Sequence, residues 1–247
     1  MTEELAATGS LMLAMAMAAM LYASVGHGGA SAYLAVMGLA GMAQAQMKPV
    51  ALVLNIAVST VALVSFARAG HFSWRLFLPL AAASVPAAFL GGLLGSPELV
   101  FKWILAFALG VGAWRLLAAP GESDEPVRNP ALPVMLATGG ALGFVSGLIG
   151  IGGGIFLTPL LVLCRFARAK TAAAVSAAFI AVNSCSGLLG WLKKGDPVPQ
   201  IAWALLPCVC IGGWLGARWG SGRAPIPALR RTLAAVLVVA AAKFVII

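Results

Sequence analysis

The chain has 247 residues, of which 62% are hydrophobic and 9% charged, and its mean hydropathy is +1.01. That composition excludes a soluble globular domain. Recurring apolar runs of about 20 residues point to an all-α polytopic membrane protein, not to a barrel of short alternating strands. The net charge of +9 arises from Lys and Arg in short loops between apolar runs; this is a topology signal, so no nucleic-acid partner is expected.

The chain opens Met1-Thr2-Glu3-Glu4, acidic where a cleaved signal peptide would be basic, so the first apolar segment is expected to stay. Leu5–Ser24 is long enough to span. It is followed by Val25-Gly26-His27-Gly28-Gly29-Ala30-Ser31-Ala32-Tyr33 and a short apolar piece, Ser31–Ala45. One helix over Leu5–Met42 would be roughly 57 Å long at 1.5 Å per residue. A hydrocarbon core of about 30 Å cannot hold it straight, so the segment is predicted to break at the glycines.

Val50–Ala67, Phe77–Leu94 and Val100–Leu117 are the next helix candidates, with Lys48-Pro49 and Ser96-Pro97-Glu98 as expected helix starts. A polar joint, Pro120 to Pro126, carries Glu122, Asp124 and Glu125. It divides a first repeat (1–117) from a second (131–247), with 118–130 as linker.

The second half follows the same plan. Leu132–Leu148 is a span, Gly147-Leu-Ile-Gly150-Ile-Gly152-Gly153-Gly154 a stronger glycine break, and Ile155–Cys164 a short piece. Thr171–Trp191, Ile201–Leu215 and Ile226–Ile246 complete it. Gly26, Gly28 and Gly29 align with Gly150, Gly152 and Gly153; Gly91, Gly92 and Gly95 align with Gly212, Gly213 and Gly216. Such duplication underlies many transporters. The second glycine set reads as close helix contacts.

Charge separates two topologies. If each glycine region is one continuous span, there are eight spans, and 9 basic residues face the cytoplasm against 7 outside. If the short pieces also cross, each half has five segments and the second is inverted. Then 11 basic residues lie inside, Arg68, Arg75, Arg115, Arg128, Arg165, Arg168 and Lys170 among them, against 5 outside. The five-segment arrangement fits the positive-inside rule better.

A half-helix starting at mid-membrane presents unpaired N–H groups and about half a positive charge. Two of them, at Gly28–Ser31 and Gly152–Ile155, suit a small anion as substrate. The expected substrate contacts are Gly26, His27, Gly28, Gly29, Ser31, Gly150, Gly152, Gly153, Gly154, Asn183 and Ser184. Ser24, Tyr33 and Thr158 flank the breaks. Asn55, Ser59 and Thr60, with Cys185 and Ser186, are either interhelical glue or site lining. Tight packing or a simple kink is the competing explanation of the glycines, and a hydrogen-bonded turn that of His27.

No carboxylate falls at membrane depth, so a carboxylate-based pump is not expected. Only His27 offers a proton site, which leaves a proton-coupled importer open beside an exporter and an anion channel. The four cysteines lack metal-ligand or redox spacing. No protease triad, aspartyl pair, P-loop or zinc motif is present, so neither an enzyme, a cofactor nor a metal is expected. Membrane lipid is the surrounding partner, and a homodimer is an open arrangement.

The paired breaks in a duplicated chain of this length resemble the sulfite exporter TauE/SafE family, also called toluene-sulfonate uptake permeases. Gly147 to Pro159 is similar to the second-half signature, and Val25 to Tyr33 to a variant of the first in which His27 and Ala30 depart from the usual glycines. The resemblance implies inner-membrane transport of sulfite, thiosulfate, organosulfonates or other small organic anions, without fixing direction.

Overall fold

A computed structural model describes residues 2–118, 127–222, 238 and 242. Apart from those last two residues, the expected span Ile226–Ile246 lies outside the described residues, as do the acids of the linker. The described residues form nine helices and no strand: α1 (Thr2–Ala23), α2 (Ala30–Leu39), α3 (Gln44–Arg68), α4 (Trp74–Leu94), α5 (Glu98–Ala118), α6 (Leu132–Ile149), α7 (Gly154–Leu163), α8 (Ala169–Leu192) and α9 (Ile201–Gly222). Five of them, α3, α4, α6, α8 and α9, are long and apolar enough to cross a membrane. The short pieces α2 and α7 have 10 residues each, about 15 Å, or half a hydrocarbon core.

Most boundaries lie where the sequence placed them. Pro97 accepts from Phe101 N–H at 2.9 Å at the start of α5, and Pro133 sits in the first turn of α6. One start is corrected. Lys48-Pro49 does not open α3, which begins at Gln44 and carries Pro49 inside. The extra turn is anchored by the Gln44 Nε2 bond to Ser96 O at 3.3 Å.

Small residues bring the long helices together. Along α6, Gly139, Gly143 and Gly147 pack on Leu80, Ser84 and Ala88 of α4, and a Cβ at any of them would overlap the backbone opposite. Gly212, Gly216 and Gly220 of α9 meet Ala16 and Met20 of α1 and Ser24 just after it in the same way. The four-residue spacing is one ridge of a helix fitted against its neighbour, as expected without a hydrophobic drive between helices. Gly91 and Gly92 seat α4 on α6 and α8, and Gly213 faces Val58, so these glycines serve packing; Gly95 instead caps α4. Outward faces remain apolar, with Leu94, Trp103, Phe107 and Ile211 exposed to what would be lipid.

Contacts between distant segments define two ends. At one, Ser96 Oγ donates to Leu148 O at 3.3 Å, and Lys48 and Lys194 flank the Trp191 ring at 5.5 and 5.3 Å from its centroid. At the other, Arg128 N–H donates to Arg165 O at 2.7 Å and Lys170 Nζ to Ser221 O at 3.4 Å. Eight continuous spans would separate Lys48 from Lys194 and Arg128 from Arg165. Each pair would lie on one side in the five-segment plan, with which these contacts agree.

α6 and α7 therefore form a hairpin that starts and finishes at the Arg165 end, its turn at Gly150 packed on Lys48. The α1–α2 turn lies towards the other end: Gly26 packs on Ala173, and α2 leads back through Gly41 to Gln44.

Candidate functional site

Both predicted breaks are real interruptions of helix, at residues 24–29 and 150–153. α2 and α7 start in the same manner. Their N-cap residues, Gly29 (φ 95) and Gly153 (φ 76), adopt left-handed conformations that a side chain would strain, and neither helix has a side-chain cap. The N–H groups of Gly28, Gly29, Ile151, Gly152 and Gly153 are buried and donate no hydrogen bond among the described residues. Buried donors without partners are costly, about 1–3 kcal/mol each, and they mark a place built for an acceptor.

Two bridges join the breaks. His27 Nε2 lies 2.9 Å from Gly154 O and 3.1 Å from Thr158 Oγ1. A carbonyl only accepts, so Nε2 carries the proton and His27 donates into the first turn of α7. Thr158 Oγ1 in turn donates to Ser176 Oγ of α8 at 2.7 Å.

The second bridge is Asn55 of α3. Its Oδ1 accepts from Ala30 N–H at 3.2 Å, answering one of the opening donors of α2. Its Nδ2 donates to Ser184 Oγ at 3.0 Å. A Cβ on Gly28 would overlap the Asn55 amide. One on Gly152 would overlap it too and stand 3.1 Å from Ser184 Oγ. Glycine is needed at both positions because the Asn55 amide passes between the two breaks.

The remaining expected contacts fall as follows. Gly154 supplies the carbonyl for His27 and is packed by Ile180. Gly150 caps α6, its N–H donating to Ser146 O at 2.8 Å. Gly26 packs on Ala173 at the turn, away from the network. Ser31 Oγ donates to Tyr22 OH at 2.9 Å, an internal tie between α1 and α2. Thr60 bonds its own helix and is exposed, and Cys185 is exposed. Ser59 bonds the Asn55 carbonyl and Ser186 bonds Val85 O, both structural ties.

Asn183 is fully buried, and neither end of its amide has a hydrogen-bond partner among the described residues. It sits one turn from Phe179, whose Cε1 lies 2.9 Å from where a Gly153 Cβ would be. Ser146 Oγ, 0% exposed and without a partner, lies on the same side of that glycine. At the first break the Tyr33 hydroxyl is buried without a partner beside Gly29. Peptide N–H groups, an amide and two hydroxyls thus remain unanswered around two helix N-termini, with no carboxylate on any of the contributing segments. Donors and dipoles of this kind, without a fixed cation, are the chemistry that suits a small anion.

In the sequence Asn55 does not stand out from the other polar residues of its span, and Ser146 does not stand out at all. For Asn55 the available signal was a polar residue at the middle of a span. For Ser146 it was a hydroxyl one turn before Gly150.

The family model described as "Sulfite exporter TauE/SafE" matches residues 11–244. The chain is 35% identical over 238 residues to the probable membrane transporter protein y4hK of Sinorhizobium fredii, covering 94% of this chain and 96% of that one. It is 29% identical over 204 residues to the probable membrane transporter protein ORF9 of a Sinorhizobium species, covering 80% and 76%. It is 34% identical over 119 residues to the probable membrane transporter protein YfcA of Escherichia coli K12, covering 48% and 42%. No solved structure matches.

Proposed function

Because the chain belongs to the sulfite exporter TauE/SafE family, a family of multi-pass membrane transporters, we propose that it carries small oxyanions, such as sulfite, thiosulfate or organosulfonates, out of the cell. The observation that carries this reading is the set of buried, unanswered donors shared by the two breaks. An anion is the ligand those donors fit. A cation or an apolar solute would leave them unpaired.

The two halves act as inverted repeats, residues 1–117 and 131–247 around the polar linker. Each contributes one hairpin, and the anion passes as the halves rock about the fixed site. The arginine-rich end faces the cytoplasm. Export then needs no coupling ion, since a monovalent anion leaving a negative interior gains about 2.3 kcal/mol per 100 mV. The proposed activity is transport without a chemical step.

His27 keeps a second reading in view, a proton-coupled importer, because a titratable ring bridges the hairpins. Reconstituted vesicles separate these. Potential-driven thiosulfate efflux that saturates and shows counterflow supports the carrier; linear, non-saturating flux supports a channel. Accumulation against a gradient that is lost in His27→Ala supports the importer. Gly153→Leu and, as a milder change, Asn183→Leu should lower efflux at least tenfold while the protein remains inserted. Unchanged efflux in both would remove the breaks from the pathway.

A further inference from the structure

Lys48 stands outside the network of the breaks. It is 2% exposed, one of the largest fully buried side chains, and no carboxylate pairs with it among the described residues. Its ammonium lies 5.5 Å from the centroid of the Trp191 ring, and the Lys194 ammonium lies 5.3 Å from the same centroid. Trp191 is 9% exposed, and its Nε1–H is buried with no hydrogen-bond partner among the described residues.

Two ammonium groups over one ring repel each other, and cation–π attraction offsets only part of that. The carbonyl end of α6 helps, because Lys48 Cγ is 2.9 Å from where a Gly150 Cβ would be, and a cation there meets about half a negative charge. A purely structural role for Lys48 ends at that point. Lys194 is exposed, and its ammonium lies 2.6 Å from where a Gly95 Cβ would be, so water and the carbonyl end of α4 answer its charge. The indole N–H is left without an acceptor among the described residues. A small anion answers that N–H and the buried Lys48 ammonium together, since both are donors.

Position gives this cluster its meaning. Lys48 and Asn55 are seven residues apart on α3 and share a face; Ser184 and Trp191 are seven apart on α8 and do the same. The helices run antiparallel, so Lys48 stands over Trp191 as Asn55 stands over Ser184, about 10 Å further along. The basic cluster is in line with the breaks, on the side opposite the arginine-rich end.

We infer that Lys48, Trp191 and Lys194 form a second, outer anion site that receives the same small oxyanions as they leave the breaks. This rests on the export reading above. The outer site gives a departing anion a place where fixed charge replaces helix dipoles. Because Lys48 is buried within the bundle, a free anion reaches it in preference to a lipid headgroup.

Equilibrium dialysis of the detergent-purified protein with radiolabelled thiosulfate counts the sites. Two anions per chain are expected for the parent protein and for Lys48→Arg. One is expected for Lys48→Met, and also for Trp191→Phe, which keeps the ring face and removes only the donor. Gly153→Leu should also bind one, at the outer site. Two anions retained by both Lys48→Met and Trp191→Phe would overturn the inference. So would a parent protein that binds one anion and loses it only on Gly153→Leu, a result that leaves the export reading standing. Two anions retained by Gly153→Leu, with one lost on Lys48→Met, would support the outer site and count against the breaks instead.

Discussion

At Asn55 the two ends of one amide are divided between the halves of the molecule. Its oxygen answers a donor at the start of α2, and its nitrogen reaches Ser184 beside Gly152. Asn55→Ala removes both bonds and leaves Ala30 N–H buried and unpaired. It should lower stability by about 1–3 kcal/mol and reduce thiosulfate efflux. Thermal unfolding in detergent and vesicle efflux check this; a variant unchanged in both would show that the bridge is idle. The glycines around Asn55 were legible in sequence because two runs of them fall at matched places inside apolar segments. Asn55 was not, because a polar residue on an apolar helix shows neither its depth nor its partner. Lys48 was harder still. Next to a proline and before an apolar run it reads as a loop cation, and only the extra turn of α3 from Gln44 draws it into the bundle.

The elements divide into two kinds. Long helices pack through small residues, and short helices end inside. Gly147 sits where α4, α6 and α8 converge, against Ala88, Gly92 and Gly187. Gly147→Val would force backbones apart and should destabilise the protein by about 1–3 kcal/mol or more, the range of core overpacking. Gly110→Ala, on an exposed stretch of α5 with nothing near the new Cβ, should be neutral or stabilise by about 1 kcal/mol or less and serves as the control. The two variants should differ clearly in melting temperature and in yield of folded protein, and equal behaviour would contradict the packing described. The helix boundaries followed from apolar length and glycine punctuation, so α2 and α7 were foreseeable as short pieces. Which faces meet was not. Nearly every helix is apolar all round, and with no polar stripe the pattern fixes length but not rotation.

At the scale of the whole chain, the contacts among the described residues gather the basic residues at two ends. The arginine-rich segments meet at one end and Lys48 meets Lys194 at the other. The hairpin α6–α7 starts from the arginine-rich end, while the turn of α1–α2 points towards that end, so the two half-helices start close to one another inside the bundle. Transport as proposed requires those N-termini to hold a negative solute. A density map of the purified protein with thiosulfate tests this most directly. It should show one anion within hydrogen-bonding distance of the peptide N–H groups at 28–29 and 151–153, near the Asn183 amide. A map in which those N–H groups are bonded to protein carbonyls, with the anion bound elsewhere or absent while efflux persists, would contradict it.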